Sequence, residues 1–248
     1  MPSKLFTIFH KIHIFVLNIL FPISCVSCSK ESQWLCDGCF SKIKLQTEHV
    51  CGVCEKMIVP DGRTCQSCKK KSALSALVVA ASYKNDLIAQ LVHYYKYRFV
   101  SDLHVDLGKI IISALQKTDL PLPDVIVPIP LHKRRLRWRG FNQSALLARY
   151  VAQNLLPQNP IPCQENILIR KKYTLPQMKI KNYQNRRENI LDAFLASNQQ
   201  DISGKSVLLI DDIATTGSTI FECAKVLKKD GAKEIYAAVI ARQEMKSV

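Results

Sequence analysis

The sequence is short of acid. Across 248 residues, aspartate and glutamate number 20 against 35 lysines and arginines, a formal charge of +15 at pH 7. That imbalance points to polyanionic partners: nucleic acid, phosphorylated small molecules or anionic lipid surfaces. Also missing is a hydrophobic run long enough to cross a bilayer as a helix. The most apolar stretch, residues 12–21, is interrupted by His13 and Asn18 and falls well short of the roughly 20 apolar residues that a membrane helix needs. No small-x-small cleavage site follows it, and Pro22 stands where a lipoprotein signal would carry leucine. Leu5, Ile8, Phe9, Ile12, Phe15, Val16 and Ile19 recur at helical spacing, so residues 1–24 are expected as an amphipathic helix packed on the protein. Long internal repeats and low-complexity tracts are absent, and 48% hydrophobic residues suffice for a full core.

Cysteine is scarce where a disulfide scaffold would need it and dense where a metal would. Eight of the ten cysteines lie between Cys25 and Cys68 as four CxxC pairs, while Cys163 and Cys223 stand alone in ordinary sequence. A secreted scaffold rarely repeats CxxC four times, so the pattern fits a reducing, cytoplasmic compartment. Cys25, Cys28, Cys36 and Cys39 form one set, and Cys51, Cys54, Cys65 and Cys68 another. Two residues between cysteines let both sulfurs face one tetrahedral ion, and four thiolates close its coordination shell. Two structural zinc ions are expected, with iron–sulfur clusters or redox dithiols as the competing chemistry. Sequential and nested pairing of the four CxxC units both remain open. A closed site of this kind stabilises and does not catalyse.

Composition shifts near Lys71, from a polar, cysteine-rich segment (25–71) to an α/β domain (72–248). Strands are expected near 77–82, 125–129, 206–210 and 234–241. Helices are expected near 86–95, 102–117, 143–155 and 218–229, the last with Ile220, Cys223, Ala224 and Leu227 on one face and Gly231 as its stop. Such alternation implies a mainly parallel sheet flanked by helices.

The sharpest motif is VLLIDDIATTGST at 207–219: an apolar strand, two aspartates, then a turn of small residues opening a helix. Backbone amides and hydroxyls of Ala214, Thr215, Thr216, Gly217, Ser218 and Thr219 suit a phosphate, favoured further by the helix dipole. Asp211 and Asp212, at the carboxyl end of the strand, suit a ribose diol and the water shell of a magnesium ion. This motif resembles the signature of type I phosphoribosyltransferases, which bind 5-phosphoribosyl 1-pyrophosphate (PRPP). The resemblance extends over nearly the whole chain. The cysteine module, VPIPLH at 127–132, RGFNQ at 139–143, TLPQ at 174–177 and REN at 187–189 occur in the order found in the ComF/GntX family. That resemblance implies a double zinc ribbon, a type I phosphoribosyltransferase fold and a role in uptake of transforming DNA, with DNA-uptake proteins at the membrane as partners. It does not establish a catalysed reaction.

Two basic clusters accompany the motif. Residues 133–139 hold five cations in seven, and residues 170–187 hold seven cations and no acid. The first lies where the fold class places its pyrophosphate loop, and the second where relatives carry a mobile loop. Solvated surface charge is the bland alternative; anion binding explains the clustering. Arg134, Arg139, Lys171 and Arg187 are candidates for a pyrophosphate clamp. Lys133, Arg134, Arg135, Arg137 and Tyr173 are candidates for gripping single-stranded DNA by charge and stacking. His132 is expected to be structural. Oxopurine enzymes of the fold usually carry an acid two positions before the loop glycine, where this chain has Thr215, which argues against oxopurine salvage. Three functions follow: a DNA-handling protein with a PRPP site, an active transferase with an unidentified acceptor, and a PRPP-sensing regulator without turnover.

Overall fold

The computed structural model describes residues 23–174, 183–197 and 202–243; the helix expected over 1–24 lies almost wholly outside them. The chain divides into two compact units, Met1–Ile43 and Lys44–Val248. In the first, the second of two CxxC knuckles, Cys36 and Cys39, starts a short helix, α1 (Asp37–Phe40).

The second unit opens with the other pair of knuckles, carried by the two-residue strands β1 (His49–Val50) and β2 (Ile58–Val59), which pair antiparallel, and by α2 (Gln66–Lys69). These knuckles are attached to the sheet that follows. Thr64 donates its N–H to the Ser75 carbonyl (2.8 Å), and Leu45 and Arg63 bridge to Ala81 and Ala76. A Cβ on Gly62, which sits at φ +67°, would come within 2.1 Å of the Leu77 carbonyl oxygen. Only glycine fits that approach.

The sheet consists of β3 (Ala76–Ser82), β4 (Val125–Pro128), β7 (Ser206–Ala214) and β8 (Glu234–Arg242), all parallel, in the order β3-β8-β7-β4. β3, β4 and β8 are buried almost end to end, as expected of strands covered by helices on both faces. The helices are α3 (Asp86–Tyr97), α4 (Leu103–Leu115), α5 (Lys133–Arg139), α6 (Gln143–Asn154), α7 (Tyr183–Ile190) and α8 (Ser218–Lys229). A separate pair, β5 (Leu168–Arg170) and β6 (Phe194–Ala196), lies antiparallel. One face of α8 buries Ile220, Cys223, Ala224 and Leu227 against β7 and β8, and Gly231, at φ +95°, follows its end.

Two local expectations needed correction. Residues 133–139 form a helix instead of a basic loop: the His132 ring nitrogen accepts the Arg134 N–H (3.2 Å), and Gly140, at φ +84°, closes the other end. The strand expected to end before the aspartates runs on to Ala214, because β8 continues to pair with it as far as Ala214↔Arg242. Asp211 and Asp212 therefore lie within a strand, and Asp212 is 7% exposed.

Candidate functional site

A cleft of about 160 Å³ opens at the carboxyl ends of β4 and β7, where parallel sheets place their ligands. Each wall is held in place by local chemistry. Asn85 caps α3, accepting the N–H groups of Leu87 and Ile88 (3.0 and 3.3 Å), and the buried Tyr95 hydroxyl donates to the Gln143 carbonyl (2.8 Å). This ties the last turn of α3 to the first turn of α6. Asn142 caps α6 by accepting the Ser144 N–H (3.2 Å), while its own amide donates to the Ile129 carbonyl (3.1 Å). Gln143 and Ser144 thereby face the acidic pair on β7.

The pair is asymmetric. Asp211 accepts the Ser144 hydroxyl (2.8 Å) and the Asp212 N–H (2.9 Å). Burial, reinforced by the charge of Asp212, raises its pKa to about 7. Asp212 instead pairs with the Lys96 ammonium at 2.9 Å, with both side chains largely buried. Burial by itself would lower the Lys96 pKa, but Asp212 and Asp211 together hold it above the ordinary lysine value.

Opposite the carboxylates, the turn at 214–219 opens α8. Gly217 adopts φ +73°, and a Cβ there would meet the Phe221 ring at 2.9 Å. The Thr216 hydroxyl lies 2.7 Å from that of Ser218 and accepts the Ser218 N–H (3.3 Å). Ala214, Thr215, Gly217, Ser218 and Thr219 line the cleft, and Thr216 packs behind them, 1% exposed. Such a turn can wrap an anion at the helix N-terminus.

Of the four residues considered for a pyrophosphate clamp, Arg139 lines the cleft and donates to the Gln143 side chain (2.8 Å). Arg134 lies instead over the Tyr173 ring at 5.0 Å, and Lys171 is exposed away from the lining. The side chain of Arg187 and residues 175–182 are outside the described part of the chain. Arg135 reaches the cleft and donates to the Thr174 carbonyl (2.7 Å); Lys133 and Arg137 are exposed on α5. His132 meets the edge of Tyr173 at 5.2 Å, consistent with a structural ring.

Two cations of the cleft were not singled out from sequence. Lys96 closes an ordinary amphipathic helix, and Arg170 closes a short strand; nothing local sets either apart. Arg170 is 8% exposed, lies over Phe194 at 5.3 Å and bonds the Thr174 hydroxyl. Burial, with Arg135 nearby, lowers its pKa to about 10. The Nε atoms of Arg139 and Arg170 and the Gln143 amide nitrogen are buried without an acceptor among the described residues. Buried donors are rarely left so in folded proteins unless a ligand or water completes them, and three around one cleft suit an anion rich in oxygen.

The cysteines fall into two sequential sets, Cys25, Cys28, Cys36 and Cys39, and Cys51, Cys54, Cys65 and Cys68, with all sulfurs of a set within 4.8 Å of one another. The Cys36 and Cys65 N–H groups point at the sulfurs of Cys25 and Cys51 (3.5 and 3.4 Å). Four convergent thiolates with backbone donors fit structural zinc. The second set is linked to the turn at 214–219 by one side chain. Arg242 donates to the Gly52 carbonyl (3.0 Å) and Glu55 carboxylate (2.6 Å) beside these cysteines, and to the Thr215 carbonyl (3.4 Å).

Known proteins match the same two parts. A double zinc ribbon domain matches residues 16–69, and a phosphoribosyl transferase domain matches residues 142–247. Competence protein F of Haemophilus influenzae is 29% identical over 90% of this chain and 98% of its own length. Over most of its length the chain is thus similar to competence protein F, with both parts of that likeness matched by domain models. Its further relatives include the DNA utilization protein YhgH of Escherichia coli K12, 28% identical over 84% of this chain and 96% of that one. Competence protein ComFC of Bacillus subtilis is 27% identical over 82% and 81%. In this chain a four-stranded parallel sheet, part of it matched by the phosphoribosyl transferase domain, is accompanied by a double zinc ribbon. Among the described residues, no helix is long and apolar enough to cross a membrane.

Proposed function

We propose that this protein handles single-stranded DNA during natural transformation, in the cytoplasm, and that its cleft binds PRPP or a related ribose phosphate. The observation that supports the ligand reading is the composition of the cleft: an acidic pair on one wall, a turn of small residues opening a helix on another, and three lining residues, Arg139, Gln143 and Arg170, that each keep a buried donor without an acceptor among the described residues. A ribose diol would bond the carboxylates, the 5-phosphate would take the turn at 214–219, and a pyrophosphate would meet Arg135, Arg139 and Arg170. Carboxylate oxygens suit magnesium. With Lys96 already on Asp212, Asp211 is the carboxylate to serve a magnesium ion arriving with PRPP.

The DNA reading draws on the names of the relatives, competence proteins in two organisms and a DNA utilization protein in a third, and on the +15 charge. DNA-uptake proteins at the membrane are the partners such a role calls for. Lys133, Arg134, Arg135 and Arg137 would track phosphates, with Tyr173 among them. Calorimetric titration with PRPP and magnesium, and in parallel with short single-stranded and duplex oligonucleotides, tests both halves. PRPP should bind with loss of affinity in Asp211→Asn/Asp212→Asn, and single strands should be preferred to duplex. A folded double variant with unchanged PRPP affinity would remove the diol assignment. Release of pyrophosphate with a defined base would move the transferase reading ahead.

A further inference from the structure

Between Val125 and Gln164 the chain carries six lysines and arginines and no acid. In the middle of this stretch, on α5, stands Trp138, 68% exposed. An indole left in water on a helix of cations contributes nothing to the core, and large exposed aromatics commonly serve as binding groups. Its ring meets Phe99, itself 38% exposed, edge to face at 5.2 Å and 84°. Phe99 occupies the left-handed region at φ +56°, uncommon for a bulky side chain. Tyr97, two residues earlier and 43% exposed, is part of the cleft lining, as are Arg135 and Arg139, one helical turn before Trp138 and next to it. The aromatic pair is therefore flanked in the chain, on both α3 and α5, by residues that line the cleft. Tyr173 differs: it has Arg134 and Arg135 over its ring, 5.0 and 5.7 Å from the centroid, and His132 against it.

We propose that Trp138 and Phe99, with Tyr97 at the cleft mouth, form a base-stacking ledge for single-stranded nucleic acid, whose backbone runs along Lys133, Arg134 and Arg137. The inference rests on the DNA-handling reading and deepens it. Charge complementarity selects a polyanion, and flat exposed rings select one whose bases are unpaired and free to stack; a duplex keeps its base faces covered. Stacking tolerates every base, so the ledge implies little sequence preference.

The chain has two tryptophans, Trp34 and Trp138, which provides a direct readout. The full zinc-loaded protein is titrated into a fluorescein-labelled polythymidine oligomer while anisotropy and indole emission are followed together. Binding should quench the emission, and Trp138→Phe should bind with similar affinity but show no quenching. Trp138→Ala should weaken binding roughly 5- to 150-fold with an unchanged salt slope, and an abasic oligomer of equal length should bind the parent as weakly. A rise in anisotropy with no quenching, or with Trp138→Ala unaltered, overturns the ledge and leaves the DNA reading standing. No anisotropy change with any oligomer overturns both.

Discussion

At the scale of single residues, the two aspartates share a sequence context but not an environment. Asp211, desolvated and beside a second carboxylate, has a pKa raised to about 7, far above the ordinary aspartate range. Between roughly pH 4 and pH 7 the folded chain therefore holds a proton that the unfolded chain has lost, so this group makes stability fall as pH rises through that window. Asp211→Asn should flatten that part of the profile, which denaturant melts at pH 5 and pH 7.5 would reveal. If the profile is unchanged, the carboxyl is not buried as described. Asp212 has Lys96 as its counter-ion. Lys96→Met would leave a buried carboxylate without that partner, at a cost of about 3–5 kcal/mol, and adding Asp212→Asn should recover much of the deficit in the same melts. The acidic pair was legible in the sequence because adjacent aspartates after an apolar strand are conspicuous. Lys96 was not, because it lies more than a hundred residues upstream and meets Asp212 only once α3 packs beside the sheet.

At the scale of elements, the strands, helices and their alternation could be read from periodicity, yet two boundaries could not. The α5 segment, with five cations, has no apolar face to announce a helix; its start depends on a ring nitrogen of His132 and its end on Gly140. β7 extends past its apolar run because β8 pairs with Asp211, Ile213 and Ala214 beyond it, a tertiary cause that no local pattern carries. The turn into α8 was legible for the opposite reason, since its conformation is local. Gly217→Ala should cost about 1–3 kcal/mol for the left-handed backbone. It should also push the Phe221 ring aside, weakening PRPP binding more than stability; calorimetry and thermal melts on one preparation separate the two. Equal PRPP affinity in the variant would mean that the turn does not hold the phosphate.

At the scale of the whole molecule, charge is the property that sequence states most directly and places least. The sum of +15 does not reveal that Arg135, Arg139 and Arg170 turn into a cleft while Lys133 and Arg137 remain exposed. Neutralising Lys133 and Arg137 should therefore lower the salt dependence of single-strand binding by roughly 0.7 for each phosphate that is no longer neutralised and leave PRPP affinity unaltered. A parallel fall in PRPP affinity would place these cations in the cleft. The cysteine module likewise reads as one block in sequence, whereas its second half shares a compact unit with the sheet. Arg242 makes that sharing specific, reaching from the last strand to Gly52, Glu55 and Thr215. A shortened chain beginning at residue 72, the natural cut for anyone removing the metal module to obtain a minimal domain, would strip this guanidinium of its Gly52 and Glu55 acceptors and uncover the edge of β3 beside Gly62. Such a truncation should express poorly and bind PRPP weakly even though every residue lining the cleft is retained, whereas a chain beginning at residue 44 should keep both properties.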